Sequence, residues 1–290
     1  MLRTKQFDLF ESLIARKTSK MKKILIPTDF SQVADNALAY AIELGAAFQS
    51  ELLLYHVYHI SKVDYNRDFS PDEQPFRKQI ERKMELSRLK FGAQVTENGL
   101  SLETKVRREP IMALFDRKVE EHNINVIVMG SKGASGLKKV IFGSVAAIAL
   151  NMAKIPVFII PPESFSFPIR NIVLAIDDQV IAKATLEPLQ RLASAFGAKV
   201  TVVNVKSNTT PATVPRITLS MGELEINYLE LPPTSSINDT LNAFTNQTGC
   251  DLLCMIRRER GFFERLFQGS TTINQAYDSQ KPLLVLPDLS

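Results

Sequence analysis

The chain has few cysteines, no long apolar run and no concentrated charge, and each shortage excludes a class of protein. Two cysteines in 290 residues cannot form the disulfide framework of a small secreted domain. No stretch reaches the roughly 18–20 apolar residues that cross a bilayer, so we expect no transmembrane segment. The net charge of +4 is not gathered on one basic face, so we expect no nucleic-acid partner.

Residues 1–21 are expected to be an N-terminal extension. Residues 1–20 carry five basic and two acidic side chains, which interrupt any apolar core and exclude a secretory signal. Without an export signal, the expected location is the cytoplasm. Apolar residues recur here at helical spacing, which is typical both of a short helix docked on a membrane surface or partner and of a loosely docked extension. A third alternative is a biological start at Met21, because MKKILIPTDF opens with a complete strand signal.

An internal repeat fills the rest of the chain. Residues 22–57 match residues 170–205 at an offset of 148, and the carboxyl-terminal parts of the two copies match at an offset of 126. The chain is therefore interpreted as a duplication whose second copy lacks 22 residues near its middle. We predict a first domain over residues 22–162, a linker rich in proline and serine over 163–168, and a shortened second domain over 169–290.

Each copy alternates short apolar strands with helices, which indicates parallel strands joined by right-handed crossovers. We therefore predict an α/β fold of two tandem five-stranded parallel-sheet domains with flanking helices. A loop over Thr209–Pro215 is expected to replace the second helix of the second copy. In the first copy the predicted strands are 23–26, 51–57, 102–106, 126–129 and 157–160, and the predicted helices are 34–48, 72–91, 111–121 and 144–153.

The segment most informative about function runs from Gly130 to Ser144. It leaves an apolar strand as GSKGASG and enters a helix at Gly143-Ser144. Glycines let several backbone amides converge on an anion, and a helix start favours phosphate. The spacing Gly-x2-Gly-x9-Gly-Ser matches neither a Walker A loop nor a dinucleotide fingerprint. From the residues alone, phosphate binding and a flexible turn with an ordinary serine cap stay equally open.

Three segments, KILIPTDFS, VMGSKGASGLKKVIFGSVA and KIPVFIIP, occur in this order and resemble the universal stress protein family. The resemblance covers residues 22–288 and implies the family's adenine nucleotide alpha hydrolase-like fold, with ATP bound in the first domain; a Mg²⁺ ion beside the ATP is left open. It also implies that the last strands of the two domains, VFIIP and LLVLP, pair as in a family homodimer. A further symmetric homodimer of whole chains is expected as well.

The resemblance implies a nucleotide-binding role for fourteen residues of the first domain. Asp29 would contact the nucleoside, Val57 would read the adenine edge through its backbone, and Ser144 would cap the last helix against the phosphates. Two alternatives stay open: Asp29 caps the first helix instead, and Lys132 is a solvated loop side chain. The full set is Pro27, Thr28, Asp29, Val57, Met129, Gly130, Ser131, Lys132, Gly133, Ser135, Gly136, Gly143, Ser144 and Val145.

The second copy departs from this pattern. Ile256 stands where the first copy has Gly130, and Glu259 stands where it has Gly133. Side chains there would crowd the backbone nest, and Glu259 would repel phosphate. We therefore expect a structural partner without ATP. Its arginine-rich run is expected to be a solvated surface, and the alternative is that these side chains bind an anion. The arginines concerned are Arg257, Arg258, Arg260 and Arg265.

No catalytic arrangement accompanies the glycine segment. Cys250 and Cys254 have no histidine near them in the sequence, so they are interpreted as buried inert thiols. His56 is expected to have a packing role, and no serine or cysteine has a recognisable partner base. We therefore expect a nucleotide-responsive stress regulator rather than an enzyme, with slow ATP hydrolysis left open. The alternative is a nucleotide-free scaffold or signalling module.

Overall fold

The computed structural model describes residues 21–58, 73–132, 143–162, 167–177, 180–205, 226–234, 236–258 and 281–289. The elements of the first half are β1 (Lys23–Pro27), α1 (Gln32–Phe48), β2 (Glu51–Tyr58), α2 (Glu73–Glu97), β3 (Ser101–Arg108), α3 (Ile111–Phe115), α4 (Arg117–Glu121), β4 (Val126–Gly130), α5 (Ser144–Met152) and β5 (Val157–Ile160). The elements of the second half are β6 (Asn171–Ile176), α6 (Lys183–Phe196), β7 (Lys199–Val205), β8 (Ile226–Leu231), α7 (Ile237–Gln247), β9 (Leu252–Arg257) and β10 (Leu283–Pro287).

All of these strands belong to one sheet, in the order β3-β2-β1-β4-β5-β10-β9-β6-β7-β8. Neighbouring strands within each half are parallel. The halves meet where β5 and β10 run antiparallel, with Phe158 opposite Leu284. Read outward from this junction, both halves have the same strand order. The predicted α/β class, with five parallel strands in each half, is confirmed.

The sheet separates two apolar layers. Ile24 and Ile26 of β1 pack in the layer on one face, and Leu25 packs in the layer on the other. Helices cover both faces, so the central strands are near-continuous apolar runs, as buried parallel strands usually are. Every residue of the edge strands β3 and β8 is at least partly exposed. The core therefore lies along the middle of the sheet and continues across the junction, where Phe158 and Leu284 share one layer.

The helices differ from the predicted ranges in ways that local contacts explain. Helix α1 begins at Gln32, two residues early, because the hydroxyl of Ser31 accepts the amide of Ala34 at 3.2 Å. Helix α2 continues to Glu97 because Phe91 and Val95, one turn apart, are both buried.

The helix predicted over 111–121 is two short helices, because the backbone at Asp116 leaves helical geometry with ψ at −87°. The predicted loop over Thr209–Pro215 lies outside the described residues. None of the helices described is long and apolar enough to span a membrane.

Candidate functional site

A cleft of about 230 Å³ opens at the carboxyl ends of β1, β2 and β4. The chain proceeds from β1 to β2 on one side of the sheet and from β4 to β5 on the other. Connections therefore diverge between β1 and β4, and the gap they leave is where open α/β sheets bind ligands. The amino end of α5 closes one wall of this cleft.

Most of the predicted site residues line this one cleft. Gly133, Ser135 and Gly136 lie outside the described residues. The structure brings the other eleven together: Pro27, Thr28, Asp29, Val57, Met129, Gly130, Ser131, Lys132, Gly143, Ser144 and Val145. Their role in binding a ligand stays a prediction.

Five further lining residues were missed as site residues: Ala34, Tyr55, His56, Ile111 and Ala146. Tyr55 lies two residues before Val57 on β2, so strand alternation could have placed both on one face. Ile111 gave no signal, because an apolar residue at a helix start has no chemical signature. The hydroxyl of Tyr55 donates to Oε1 of Glu109 at 2.6 Å, and this bond anchors the connection that carries Ile111 to the cleft.

The turn between β1 and α1 holds Asp29 at the cleft wall. Oγ1 of Thr28 accepts the amide of Phe30, and Oδ1 of Asp29 accepts the amide of Ser31, both at 3.0 Å. Ser31 caps α1, so the alternative role of Asp29 as the helix cap is wrong. Asp29 is exposed, and its carboxylate therefore lies at the cleft surface.

His56 ties the end of β2 to the end of β1. Its Nδ1 donates to the carbonyl of Thr28 at 2.7 Å, and its ring stacks on Phe30 with centroids 4.6 Å apart. Burial lowers the pKa of His56 below its ordinary value, which favours the neutral ring. Phe30 has a φ of +64°, an uncommon conformation for an aromatic residue, and such strain tends to occur at functional sites.

The packing of α1 against the end of β4 favours glycine at position 130. A Cβ at this position would lie 2.8 Å from Cγ1 of Val33 and 3.1 Å from the backbone of Val33. Glycine therefore lets the first turn of α1 approach the end of β4. Ligand approach is the reason predicted from the sequence for this glycine, and the contact with α1 is a second, independent reason.

The start of α5 is fixed against the end of β4. The amide of Ser131 donates to the carbonyl of Ile160, and the amide of Gly143 donates to the carbonyl of Ser131, both at 2.8 Å. Helix α5 begins at Ser144. The preceding residue, Gly143, is at the cap position and has no side chain that could accept a hydrogen bond from the first turn. The first amides of any helix have no intrahelical acceptor, and the helix dipole makes this end positive. The cleft therefore offers backbone donors suited to an anion.

The cleft combines these donors with apolar walls. Val57, Ile111 and Met129 contribute apolar side chains, and Lys132 adds a cationic one. Asp29 is the one acid among the described lining residues. Across the part of the chain that the structure describes, no group of three or more histidine, cysteine or acidic side chains could hold a metal ion.

In the second half, the residue equivalent to Lys132 is the buried Arg258. Arg258 is 8% exposed, and its guanidinium pairs with Asp177 and with Asp288, each at 3.2 Å. Arg257 also contacts protein atoms rather than solvent alone. The predicted solvated arginine run is thus wrong for these two residues, because carboxylates and carbonyls distant in sequence meet them. The other two arginines of the run lie outside the described residues.

The two cysteines are buried, as predicted. Burial raises the pKa of the Cys250 thiol to about 11, so little thiolate forms near neutral pH. Cys254 is fully buried in β9. Neither thiol lies in the cleft.

Comparison with known proteins finds a family match over residues 20–161 and a similar fold over nearly the whole chain. Residues 20–161 match the family model described as the universal stress protein family. Universal stress protein MJ0531 of Methanocaldococcus jannaschii is 27% identical over 156 residues, which are 53% of this chain and 91% of that protein. Universal stress protein YxiE of Bacillus subtilis is 28% identical over 147 residues, 48% of this chain and 97% of that protein.

A solved structure is similar over nearly the full length. A universal stress protein from Archaeoglobus fulgidus superposes with a TM-score of 0.69 and 20% identity. The match covers 93% of this chain and 97% of that one. The two proteins therefore share the arrangement of both halves of the fold.

Proposed function

Because the chain belongs to the universal stress protein family through residues 20–161, we propose that its first half binds ATP in the cleft at the ends of β1, β2 and β4. One observation carries the proposal: the first turn of α5 opens onto the same cleft as Asp29 and Val57. Backbone donors suit the phosphates of a nucleotide, a carboxylate suits its ribose hydroxyls, and an apolar wall suits its base.

Each part of the nucleotide has a matching part of the cleft. The purine ring packs between the apolar side chains of Val57, Ile111 and Met129, and the peptide groups of Val57 read its edge. The exposed carboxylate of Asp29 accepts hydrogen bonds from the ribose hydroxyls.

The phosphates approach the first turn of α5, whose backbone amides and dipole attract negative charge. Lys132 adds a charge at that end of the cleft. A Mg²⁺ ion accompanying ATP would be held mainly by the phosphates and water, because Asp29 is the one acid of the described lining.

ATP acts here as a regulatory ligand rather than as a substrate that is turned over quickly. His56, the one histidine of the described lining, donates through Nδ1 to Thr28, which gives it a positioning role. A regulatory ligand must bind two states of the protein with different affinity. The second half, over residues 169–290, is the partner that the ligand state affects.

The second half contributes structure rather than a second site. Antiparallel pairing of β5 with β10 covers an edge of each five-stranded sheet, which would otherwise expose unpaired backbone groups. In this proposal the chain is a tandem of residues 22–162 and 169–290, joined by 163–168. Its second unit stands where a second subunit would stand in a symmetric dimer.

Val145 provides the test of the phosphate site. Its side chain is 36% exposed in the first turn of α5 and lines the cleft. Val145→Glu places a carboxylate where the phosphates bind, in a helix position that acidic residues favour, so the fold is retained. Val145→Gln has nearly the same shape without the charge and serves as the matched control.

Calorimetric titration with ATP and with adenosine gives the readout. We expect Val145→Glu to weaken ATP binding at least about tenfold through charge repulsion while adenosine affinity changes little. Val145→Gln should bind ATP much as the unchanged protein does. Equal ATP affinity in all three proteins would contradict the site, and no binding of either ligand to the unchanged protein would favour the nucleotide-free scaffold.

A further inference from the structure

Arg257, the last residue of β9, reaches across the junction between the two halves. Its Nη1 donates to the carbonyl of Leu150 and its Nη2 donates to the carbonyl of Ala153, both at 2.7 Å. These carbonyls lie at the carboxyl end of α5, where the last turn of a helix has no intrahelical donors. The second half thus caps a helix that belongs to the first half.

The capped helix is the one whose other end lines the cleft. Helix α5 runs from Ser144 to Met152, so its nine residues span only about 13–14 Å. Its first residues border the cleft, and its last carbonyls accept from Arg257. A rigid rod of this length transmits a displacement of one end to the other.

Hydrogen bonds at its two ends help to hold α5 in place. Its buried face consists of Ala146, Ala149 and Leu150. Two of these three side chains are alanines, which interlock weakly with their neighbours, so larger side chains such as Leu150 and the partly buried Ile148 and Met152 supply most of the side-chain packing. Hydrogen bonds at the two ends add to what fixes the helix along its own axis. The amide of Gly143 bonded to Ser131 fixes the amino end, and Arg257 fixes the carboxyl end.

We propose that Arg257 is a positioning residue for the ligand cleft of the other half. It holds α5 at the axial position where the first-turn amides face the ligand's phosphates, and so it couples ligand binding to the junction between the halves. The inference rests on the proposed binding of ATP in that cleft. Its charge adds to the effect, because a cation at the carboxyl end of a helix stabilises the dipole.

The repeat makes the assignment more specific. Arg257 occupies the position that Ser131 has in the first copy, at the offset of 126. Ser131 serves its own half, because its carbonyl accepts the amide at the start of α5. The arginine in the second copy serves the same helix from its opposite end. Both copies of one position therefore hold α5.

The test compares Arg257→Met and Arg257→Lys with Arg88→Met. Arg88 is an exposed arginine of α2 that pairs with Glu85, so its substitution removes the same charge without touching α5. Each variant is titrated with ATP and with adenosine, and its thermal midpoint is measured. Adenosine lacks the phosphates that face α5, so it reports on the cleft without that contact.

We expect Arg257→Met to weaken ATP binding about tenfold and adenosine binding less than about twofold. Arg257→Lys should recover part of the loss, since an ammonium still donates to the last carbonyls. Arg88→Met should match the unchanged protein. Should Arg257→Met fail to fold, Arg257→Lys carries the same test with a smaller expected loss of ATP affinity.

A lower thermal midpoint in Arg257→Met with an unchanged ratio of ATP to adenosine affinity would overturn the inference, because a purely structural contact behaves in that way. Failure of the proposed function gives a different result. In that case the unchanged protein itself does not bind ATP, and the inference falls with it.

Discussion

The two halves share a strand order but end their equivalent strands in opposite ways. In the first half β4 ends at Gly130, and the first turn of α1 packs directly against it. In the second half the equivalent residue is Ile256, and α6 begins only at Lys183 without a side-chain cap. By the repeat offset, α6 starts three residues later than α1. The side chain of Ile256 near the end of β9 therefore occurs together with the loss of nearly one helical turn at the start of α6.

The same comparison shows a different arrangement beside the ends of the equivalent strands β4 and β9. Lys132 lies at the edge of the first cleft, whereas Arg258 at the equivalent position is buried between Asp177 and Asp288. Arg258 also donates to the carbonyl of Val180 at 2.9 Å, in the segment that replaces the first turn of α6. In the second half a buried guanidinium and its two carboxylates thus stand where the first half has the solvent-accessible edge of its cleft.

The largest expected effect comes from removing the buried cation of the second half. Arg258→Met leaves the carboxylates of Asp177 and Asp288 without their guanidinium, and breaking a buried ion pair from one side costs about 3–5 kcal/mol. Urea unfolding measures the loss, with Arg88→Met as the exposed control, for which we expect little change. ATP affinity of the remaining folded protein should stay as it was. A small change in stability would mean that the ion pairs of Arg258 with Asp177 and Asp288 contribute little to the fold.

Adding one methyl group at Gly130 should have the next largest effect. Gly130→Ala places Cβ against Val33, and overpacking of this kind costs about 1–3 kcal/mol. The matched control is Gly92→Ala inside α2, where a Cβ meets nothing within 4 Å. There the helix propensity of alanine predicts a gain of roughly 0.5–1 kcal/mol.

Val33→Ala, made alone and combined with Gly130→Ala, tests the contact between these two positions. It removes the Cγ1 atom nearest to the added methyl, so the double variant should lose less stability than the two single variants together. Urea unfolding of the four proteins measures this coupling. Simple additivity would mean that Gly130 is needed for another reason.

The smallest effect is a change in pH dependence at His56. The equivalent residue of the second half is Asn204, so His56→Asn gives the first half its partner's side chain. Burial lowers the pKa of His56, so the unfolded chain binds the proton more readily. The contribution of the neutral His56 ring to the free energy of unfolding is therefore fully present above the ordinary histidine pKa of about 6.5. This contribution is lost as the pH falls below that value.

Unfolding free energies measured between pH 7.5 and 5.5 check this prediction. His56→Asn should show a shallower fall than the unchanged protein. His122, whose pKa is also lowered by partial burial, keeps part of the slope. Identical slopes in the two proteins would mean that His56 takes up no proton on unfolding in this range.

Much of the fold follows from the sequence because its signals are local. Apolar runs mark the strands, and the repeat offsets place β6, β9 and β10 at the residues equivalent to the starts of β1, β4 and β5. The individual cleft residues could be named because the resemblance to the universal stress protein family implied them. Topology adds only the general location, since an open α/β sheet binds ligands at the carboxyl ends of its strands.

The contacts of the arginines could not be predicted in the same way. A run of arginines is solvated by default, and the acceptors of Arg257 lie 107 and 104 residues away in the chain. Burial of Arg258 depends on its ion pair with Asp288, the residue that follows β10. The close approach of Val33 to Gly130 is equally nonlocal. Such contacts depend on how elements pack, and no single segment encodes them.

The number of ATP molecules bound by each chain tests the central claim most directly. Calorimetric titration of the purified full chain, alongside Val145→Glu, measures it. Our account predicts about one site per chain in the unchanged protein and loss of that site in the variant. Two sites per chain would contradict the proposal that the second half binds no ATP, and no binding would contradict the assignment of ATP to the first half.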